Sequence, residues 1–372
     1  MSQDEYFMSI CLDLAQKAAG QTAPNPLVGA VIVADGEIVG RGHHERAGLP
    51  HAEPNALVAA AERAKGATLY VNLEPCSHYG RTPPCADAVI AAGIKRVVVG
   101  VQDSNVKVNG GGIARLREAG IDVTVGVLAD QCRYLNRGFF RVMECGLPWV
   151  ELKMACTLDG RIADQSGRSR YITAAAALER VQKLRRECDA IMVGAATARL
   201  DDPSLTVRDG LPISRQPRRV VVDPHLTLDE KAKIFDGQSD TFIFSLPSAT
   251  GIKPDKAEFM PLKIREDGGY DLKDCLATLA AKGVRRLLVE GGGVLAGALL
   301  DANLVDQIYW FMAPKMLVSS GSRPVLASDK GRSLDDIVEL EEVRYEEVLP
   351  DLLVTGYCKG RKQFLEQPLL KS

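Results

Sequence analysis

The sequence predicts an α/β protein with two domains, and three observations support this prediction. The chain has 372 residues, more than a single hydrophobic core usually organises. Segments with strand-like and helix-like patterns alternate along most of its length. The stretch "ECGLPW" (144–149) interrupts this alternation with a glycine and a proline. We therefore expect one domain at 1–145 and a second at 146–365.

The first domain is predicted to begin with a helix and a β-hairpin. Apolar residues recur at helical spacing over 5–19. In "LVGAVIVADGEIVG" (27–40), Asp35-Gly36 predicts a two-residue turn between antiparallel strands. The elements predicted next are helix 53–65, strand 67–75, helix 84–92, strand 96–103, helix 112–119, strand 122–128 and a helix from Asp130. This order predicts one sheet with helices on both faces.

The second domain is predicted to alternate strands and helices again and to end in an antiparallel pair. Short apolar runs rich in β-branched residues predict strands at 149–155, 190–194, 218–223, 240–246, 285–290 and 306–314. A late strand pair is expected within 342–359, and the last residues, 361–372, are expected to form a loose end.

Composition argues against several classes of partner, although a local basic groove would still be compatible with it. With a net charge of −2 and a pI near 6.3, the chain has no overall positive electrostatic potential that would bind nucleic acid. The N-terminus lacks a signal-peptide layout, and no apolar run is long enough for a membrane span. Nine cysteines scattered through the chain do not resemble a disulfide framework. We expect reduced thiols, a cytoplasmic location, and neither a nucleic-acid nor a membrane partner.

A metal site is predicted from four residues of the first domain. His51 and Glu53 precede an alanine-rich helix, while Cys76 and Cys85 follow in "LEPCSHYGRTPPC". One imidazole and two thiolates would hold Zn²⁺ and leave a fourth position for water. Glu53 would stay off the metal and carry protons. This order of H-x-E and P-C elements is typical of zinc deaminases that act on nucleobases.

Pro54 indicates how His51 and Glu53 could converge. Residues two apart on a regular helix face different sides. Proline is tolerated only in the first helical turn, so both residues should lie at the helix entry. The alternative is that His51 caps the helix and the cysteines are buried apolar residues; the joint occurrence of all the motif elements favours the metal site.

A glycine run in the second domain has two possible roles. "RRLLVEGGGVLAGALL" (285–300) reads as a strand, a glycine turn and a helix. Bare backbone at a helix N-terminus can hold phosphate, but a packing turn would use the same residues. The glycine spacing does not meet the G-x-G-x-x-G pattern, so a dinucleotide-binding Rossmann domain is not supported.

Several longer motifs resemble one known family. "TAPNPLVGAVIV", "HAE", "LEPCSHYGRTPPC" and "GFFRVMECGLPWVELKMACTLDGRIA" are similar to the bifunctional riboflavin-biosynthesis deaminase–reductases over nearly the whole chain. The eight residues between the two cysteines are the most specific feature. The resemblance implies a cytidine-deaminase-like three-layer α/β/α domain and a dihydrofolate-reductase-like α/β domain. It also implies zinc-dependent deamination of a phosphoribosylaminopyrimidine, followed by NADPH-dependent reduction of its ribosyl group.

The resemblance also implies roles for individual residues. In the first domain the residues that would face the pyrimidine and its phosphate are Asn25, His44, His78, Arg81 and Asn105. In the second domain those around NADPH would be Ala155, Tyr171, Thr197, Asp201, Gly292, Gly293, Val294, Leu295, Ala296, Gly297 and Ala298. The substrate contacts there would be Ser169, Arg185, Leu205, Arg208 and Glu290.

Three polar residues are candidates for the proton that reduction requires. They are Lys153, Asp201 and Glu290, and residue spacing does not decide among them. Arg185 is the favoured phosphate ligand because a fixed guanidinium fork matches a phosphate. The alternatives are that Lys153 and Asp201 are solvated charges and that Arg185 lies on an exposed helix face.

Two loops depart from the family pattern. Ser104, Val106 and Asn109 replace the usual Pro, Pro and Ala in "QDSNVKVNGGG" (102–112), around the retained Asn105. Pro54 replaces a branched apolar residue after Glu53. In "APKMLVSSGSRP" (313–324) the glycine expected soon after the leucine is missing.

Two other functions remain possible at the level of sequence. One is a nucleic-acid base deaminase with an unrelated C-terminal half, which the long inter-cysteine loop and the balanced charge disfavour. The other is a non-catalytic nucleotide-binding protein, which the intact ligand set disfavours. We expect a small-molecule substrate and a homo-oligomer, either dimer or tetramer.

Overall fold

A computed structural model of the chain describes residues 1–78, 83–105, 108–210, 212–213, 215–328 and 330–366. The chain divides into two compact units. The first comprises Met1–Gly146 with residues 365–366, and the second comprises Leu147–Phe364. None of the helices in these ranges is both long enough and apolar enough to span a membrane.

The first unit is a sheet covered by helices on both faces, as predicted. Its elements are α1 (Gln3–Gln16), β1 (Gly29–Ala34), β2 (Glu37–His43), α2 (Ala52–Ala60), β3 (Thr68–Leu73), α3 (Cys85–Ala91), β4 (Arg96–Val101), α4 (Gly111–Glu118), β5 (Asp122–Val125), α5 (Ala129–Leu135) and α6 (Arg137–Cys145). The strand order is β2-β1-β3-β4-β5. β1 is antiparallel to both neighbours, whereas β3, β4 and β5 are parallel. α2 packs on β1 and β2, and α1 packs on β1 and β3.

Local sequence accounts for the hairpin and for the helix entries of this unit. Asp35 and Gly36 both have positive φ, 51° and 79°, as the predicted two-residue turn requires. Ser2 and Glu5 form a capping box at the start of α1. The prediction of one helix over 53–65 was too long: α2 ends at Ala60, and Ala61–Ala64 form a 3₁₀ turn.

The second unit is built on a long mixed sheet. Its elements are β6 (Trp149–Thr157), β7 (Arg161–Ala163), α7 (Ala175–Glu187), β8 (Ala190–Gly194), α8 (Ala195–Asp201), β9 (Arg218–Val222), β10 (Thr241–Ser245), β11 (Ala257–Pro261), α9 (Leu272–Ala281), β12 (Arg286–Glu290), α10 (Gly293–Asp301), β13 (Gln307–Ala313), β14 (Arg323–Pro324), β15 (Leu340–Val348), β16 (Asp351–Cys358) and α11 (Arg361–Leu365). The strand order is β11-β10-β9-β8-β12-β6-β13-β16-β15. Pairing is parallel from β11 to β13, and β16 and β15 complete the predicted antiparallel end.

Two chain breaks differ in extent from the predictions. The break expected over 144–149 is shorter, because α6 continues to Cys145 and Trp149 is already buried in β6. The expected loose end at 361–372 begins with the helix α11. The Phe364 ring packs 6.1 Å from that of Trp149, and Arg361 Nε lies 3.1 Å from Asp306 Oδ1. These contacts order a segment whose short sequence carries no clear helical period.

The departure at 313–324 coincides with a strained residue. Val318 has a φ of +48° and is 82% exposed, and its N–H donates to Asp159 Oδ2 at 2.9 Å. A positive φ is unfavourable for a β-branched residue and normal for glycine, which explains why a glycine suits this loop.

We expect Val318→Gly to raise the free energy of unfolding by about 0.5–1 kcal/mol. The relieved strain, about 1–2 kcal/mol, exceeds the extra entropy of an unfolded glycine, about 0.4–1 kcal/mol. Thermal or urea unfolding of the full chain measures the change. Val343→Gly is the control, since Val343 lies in strand β15 at an ordinary φ and glycine weakens a strand there. A lower stability for Val318→Gly would contradict the strain.

Candidate active sites

His51 and Glu53 lie at the entry of α2, as Pro54 predicted. His51 is the N-cap residue, with extended backbone (φ −74°, ψ 171°) and no capping bond from its side chain. Pro54 is the third helical residue, where a missing N–H costs no helical hydrogen bond. The imidazole is therefore turned to other partners.

Those partners are the two predicted cysteines. His51 Nδ1 lies 3.2 Å from Cys85 Sγ and 3.8 Å from Cys76 Sγ, and the three ligand atoms lie within 4.8 Å of one another. Cys76 follows the end of β3, and Cys85 is the first residue of α3, as predicted. Tetrahedral zinc with ordinary bond lengths would separate such nitrogen and sulfur atoms by about 3.6 Å. The donor set and its spacing therefore fit zinc.

Interactions within this cluster shift the pKa values of its three side chains in different directions. The bond from Cys85, together with His51, lowers the pKa of Cys76, and hydrogen bonding to the Cys76 sulfur raises the pKa of His51. The pKa of Cys85 is raised by its bond to Cys76 and by burial. Cys76 is thus the sulfur that ionises first.

Glu53 is buried beside these ligands, with 3% of its surface exposed. Burial, reinforced by the neighbouring Cys76 sulfur, raises the pKa of Glu53 to about 7. Such a carboxyl group can both accept and release a proton near neutral pH.

Asn25 and His44 form a hydrogen-bonded pair next to the cluster. His44 Nδ1 lies 3.1 Å from the Pro50 carbonyl oxygen, so this nitrogen carries the donated proton, and Asn25 Nδ2 donates to His44 Nε2 at 3.1 Å. Burial lowers the pKa of His44, which keeps the ring neutral. The His44 and His51 rings are 5.3 Å apart, so the structure brings these predicted residues together.

Three further residues were predicted for this site. Asn105 belongs to a loop held by its backbone, with its N–H donating to Asp103 Oδ1 at 2.7 Å. His78 is exposed. Arg81 lies outside the described residues, as does Val106 of the altered loop.

Glu74 was missed by the sequence analysis. It is buried two residues before Cys76, and its carboxylate accepts four backbone N–H groups. The glutamate of the "EPC" motif was available as a signal, but it was interpreted only as part of a strand.

In the second unit, an ion pair forms at the carboxyl end of β12. Arg185 Nε and Nη2 donate to the two Glu290 carboxylate oxygens at 2.6 and 2.8 Å, and Arg185 Nη1 donates to the Thr206 carbonyl at 3.2 Å. Burial raises the pKa of Glu290, but Arg185 outweighs it and holds that pKa below its ordinary value. The Arg185 fork therefore faces Glu290 in this structure.

Lys153 lies beside this ion pair. It is the residue of β6 paired with Glu290 of β12. Burial lowers the pKa of Lys153, which makes its ammonium group a better proton donor than an exposed lysine. Ala155 lies two residues further along the same strand, and therefore on the same face of the sheet.

A second group of predicted residues lies on and near α8. Thr197 and Asp201 belong to this helix, and Ser169 Oγ donates to Asp201 Oδ1 at 2.7 Å. A Cβ at Gly292 would lie 2.8 Å from Thr197 Oγ1, so the glycine turn approaches the helix closely. α8 was not predicted from the sequence.

The glycine run is used for packing as well as for a turn. A Cβ at Gly293 would meet the Pro324 carbonyl oxygen at 2.8 Å, and one at Gly297 would meet that of Ala327 at 2.1 Å. Leu295 and Ala296 face the hydrophobic core, whereas Val294 and Ala298 are exposed. Side chains of this run that face solvent are thus a minority.

The other predicted residues of this half differ in exposure. Tyr171 is 75% exposed, and Leu205 is buried with a φ of +48°. Arg208 is exposed, and its charge contributes to the lowered pKa of Glu290.

Comparisons with known proteins cover both units. Residues 1–101 match the cytidine and deoxycytidylate deaminase zinc-binding region, and residues 148–354 match the RibD C-terminal domain. Riboflavin biosynthesis protein RibD of Bacillus amyloliquefaciens is 41% identical over 96% of this chain and 97% of its own length. The protein of that name from Escherichia coli is 45% identical over 85% of this chain and 89% of its own.

Comparison with solved structures indicates the same family as these sequence relatives. Acinetobacter baumannii RibD superposes with a TM-score of 0.86 at 35% identity, covering 96% of this chain and 99% of its own. A second structure is a Thermotoga maritima diaminohydroxyphosphoribosylaminopyrimidine deaminase/5-amino-6-(5-phosphoribosylamino)uracil reductase. It superposes with a TM-score of 0.83 at 33% identity and also covers 96% of this chain and 99% of its own. They confirm the predicted pair of deaminase-like and reductase-like domains. The chain belongs to the RibD family of bifunctional riboflavin biosynthesis enzymes, in which a deaminase domain precedes a reductase domain.

Proposed function

We propose that the chain catalyses two consecutive steps on one small molecule. The first is hydrolytic deamination of 2,5-diamino-6-(5-phosphoribosylamino)pyrimidin-4(3H)-one to 5-amino-6-(5-phosphoribosylamino)uracil with Zn²⁺. The second is reduction of the ribosyl group to ribityl with NADPH. The observation that carries this proposal is the convergence of His51, Cys76 and Cys85 around buried Glu53, in a chain of this family.

The deaminase residues divide the chemistry between them. Zinc, when held by His51, Cys76 and Cys85, supplies a nucleophile at neutral pH by making water more acidic. Glu53 accepts a proton at its carboxylate and returns it to the amino group that leaves as ammonia. The pKa of Glu53 near 7 supports both steps.

Binding of the pyrimidine is assigned to the polar residues around this cluster. Asn25, oriented by His44, offers both a donor and an acceptor to a base edge. Asn105 would also contact the ring. His78 and Arg81 would bind the phosphate, since guanidinium forks match phosphate oxygens.

The reductase half requires a hydride, which NADPH supplies when bound, and a proton. Glu290 is ionised by its pair with Arg185 and is a poor donor. Lys153, half-buried and with a lowered pKa, is the better donor to the reduced sugar, and Glu290 and Arg185 orient the substrate together with Ser169, Leu205 and Arg208.

The cofactor would lie where α8 approaches the glycine turn. Thr197, Asp201 and the turn at Gly292 are already close together, and Ala155 and Tyr171 would complete the site. The backbone of residues 292–298 is suited to phosphate binding at the start of α10. A cytoplasmic location and a homo-oligomeric state stay predictions.

Metal removal tests this proposal. We expect chelation of the purified chain to abolish ammonia release from the diaminopyrimidine, and one equivalent of zinc to restore it. NADPH oxidation on pre-deaminated substrate should be unchanged, because its residues are on the other unit. Two results would contradict the proposal. One is deamination of the pyrimidine by a fully zinc-free chain. The other is that the chain binds transfer RNA in a salt-sensitive way and deaminates it in place of the pyrimidine.

A further inference from the structure

The Glu74 carboxylate closes a loop of the first unit at both ends. Oε2 accepts from the N–H of Asp103 at 3.1 Å and of Gly110 at 3.0 Å. Oε1 accepts from Gly112 at 2.8 Å and Ile113 at 3.1 Å. The start of this loop and the first turn of α4, into which the loop runs, are therefore both fixed to one buried side chain.

Asn105 is connected directly to this anchor. The backbone of Asp103 is held by Glu74, and the Asp103 side chain accepts the N–H of Asn105 at 2.7 Å. The Asn105 carbonyl in turn accepts from Val108 at 2.8 Å and Asn109 at 3.0 Å. The position of Asn105 is thus set by two successive bonds that begin at Glu74.

The same loop lies against the backbone that carries a metal ligand. A Cβ at Gly112 would come within 1.9 Å of the Pro75 carbonyl oxygen, so a glycine is required for this approach. Glu74, Pro75 and Cys76 are consecutive. The segment that follows β3 thereby connects the proposed zinc ligand with the loop that presents Asn105.

We infer that Glu74 is a positioning residue for deamination, which sets the location of Asn105 relative to the Cys76 loop and so controls substrate affinity. The inference rests on the proposed role of Asn105 in binding the pyrimidine. The structural reason is that a neutral acceptor cannot replace this carboxylate: in Glu74→Gln, the amide NH₂ would face two backbone N–H donors, and their bonds would be lost.

The test compares variants of the full, zinc-loaded chain. Glu74→Gln should raise KM for deamination about tenfold, with kcat changed by less than about threefold. Zinc content and NADPH-dependent reduction of pre-deaminated substrate should equal those of the unaltered chain. Hydrogen exchange should be faster at the four backbone amides that Glu74 binds, those of Asp103, Gly110, Gly112 and Ile113. Glu62→Gln, the same change at an exposed glutamate, is the control and should match the unaltered chain.

A double-variant cycle separates positioning from general stability. If Glu74 acts through Asn105, Glu74→Gln combined with Asn105→Ala should have the KM of Asn105→Ala alone. Three results would overturn the inference. The double variant could show the product of the two single-variant effects on KM, Glu74→Gln could lose zinc, or Glu74→Gln could leave KM unchanged. An unaltered chain that does not deaminate the pyrimidine would instead overturn the proposed function.

Asp103 provides a second test should Glu74→Gln not fold. Asp103→Ala keeps every bond that Glu74 makes to the backbone and removes only the acceptor for Asn105, so KM should rise about threefold or more. Asp103→Asn keeps an acceptor oxygen and should restore the original KM. Equal KM values for the Ala and Asn variants would overturn the role of this connection.

Discussion

Glu53→Gln is expected to abolish deamination while the fold, the zinc content and the reductase activity persist. Glutamine has the shape of glutamate but cannot exchange protons, and loss of a general acid–base group typically costs about 10²–10⁴ in rate. The site is buried, so the neutral amide also carries a smaller desolvation cost than a carboxylate. Stability should not fall.

Three measurements check this expectation: ammonia release, metal content per chain, and NADPH oxidation on pre-deaminated substrate. Glu62→Gln serves as the matched control, because Glu62 is exposed on the turn that follows the same helix. Substantial deamination by Glu53→Gln would remove Glu53 from its proposed role. Loss of zinc in that variant would show that the carboxylate supports the metal site instead.

Lys153→Met is expected to reduce the rate of reduction by about 10²–10⁴ and to leave deamination intact. Methionine fills the space of the buried lysine stem but has no proton to donate. Because Lys153 is half-buried and burial lowers its pKa, removing the charge should not destabilise the unit. Single-turnover oxidation of NADPH on pre-deaminated substrate isolates the step.

Asp201→Asn distinguishes the competing donor. An asparagine oxygen can still accept the bond from Ser169, so the local geometry should persist and reduction should continue. Lys273→Met, at an exposed position of α9, controls for the loss of one positive charge. Reduction that survives Lys153→Met and fails in Asp201→Asn at unchanged NADPH affinity would assign the proton to Asp201.

Local chemistry explains which features could be predicted from the sequence. The Asp35-Gly36 turn and the entry of α2 at Pro54 depend on residues within a few positions of one another, and both were correct. The His51–Cys76–Cys85 cluster was predictable because these residue types in this order have few other uses. Long runs of β-branched residues similarly predicted the buried strands.

Other features depend on partners that are distant in the chain. The pairing of Arg185 with Glu290 requires that α7, which carries Arg185, packs on β12, and no local pattern indicates this contact. α11 is ordered by contacts with Trp149 and Asp306 rather than by its own periodicity. Glu74 lies in a recognisable motif, but its role depends on the four distant backbone amides that it binds. In each case the determining interaction is tertiary.

The position of β6 has a consequence for biosynthesis. This apolar strand is the first of its unit to leave the ribosome, yet both of its sheet neighbours, β12 and β13, are encoded far downstream. Until they are translated, the nascent strand has both backbone edges unpaired and is open to misassociation. A transcript cut short before β12 should therefore yield a polypeptide that depends on chaperones, and slow translation through this interval would prolong the exposure.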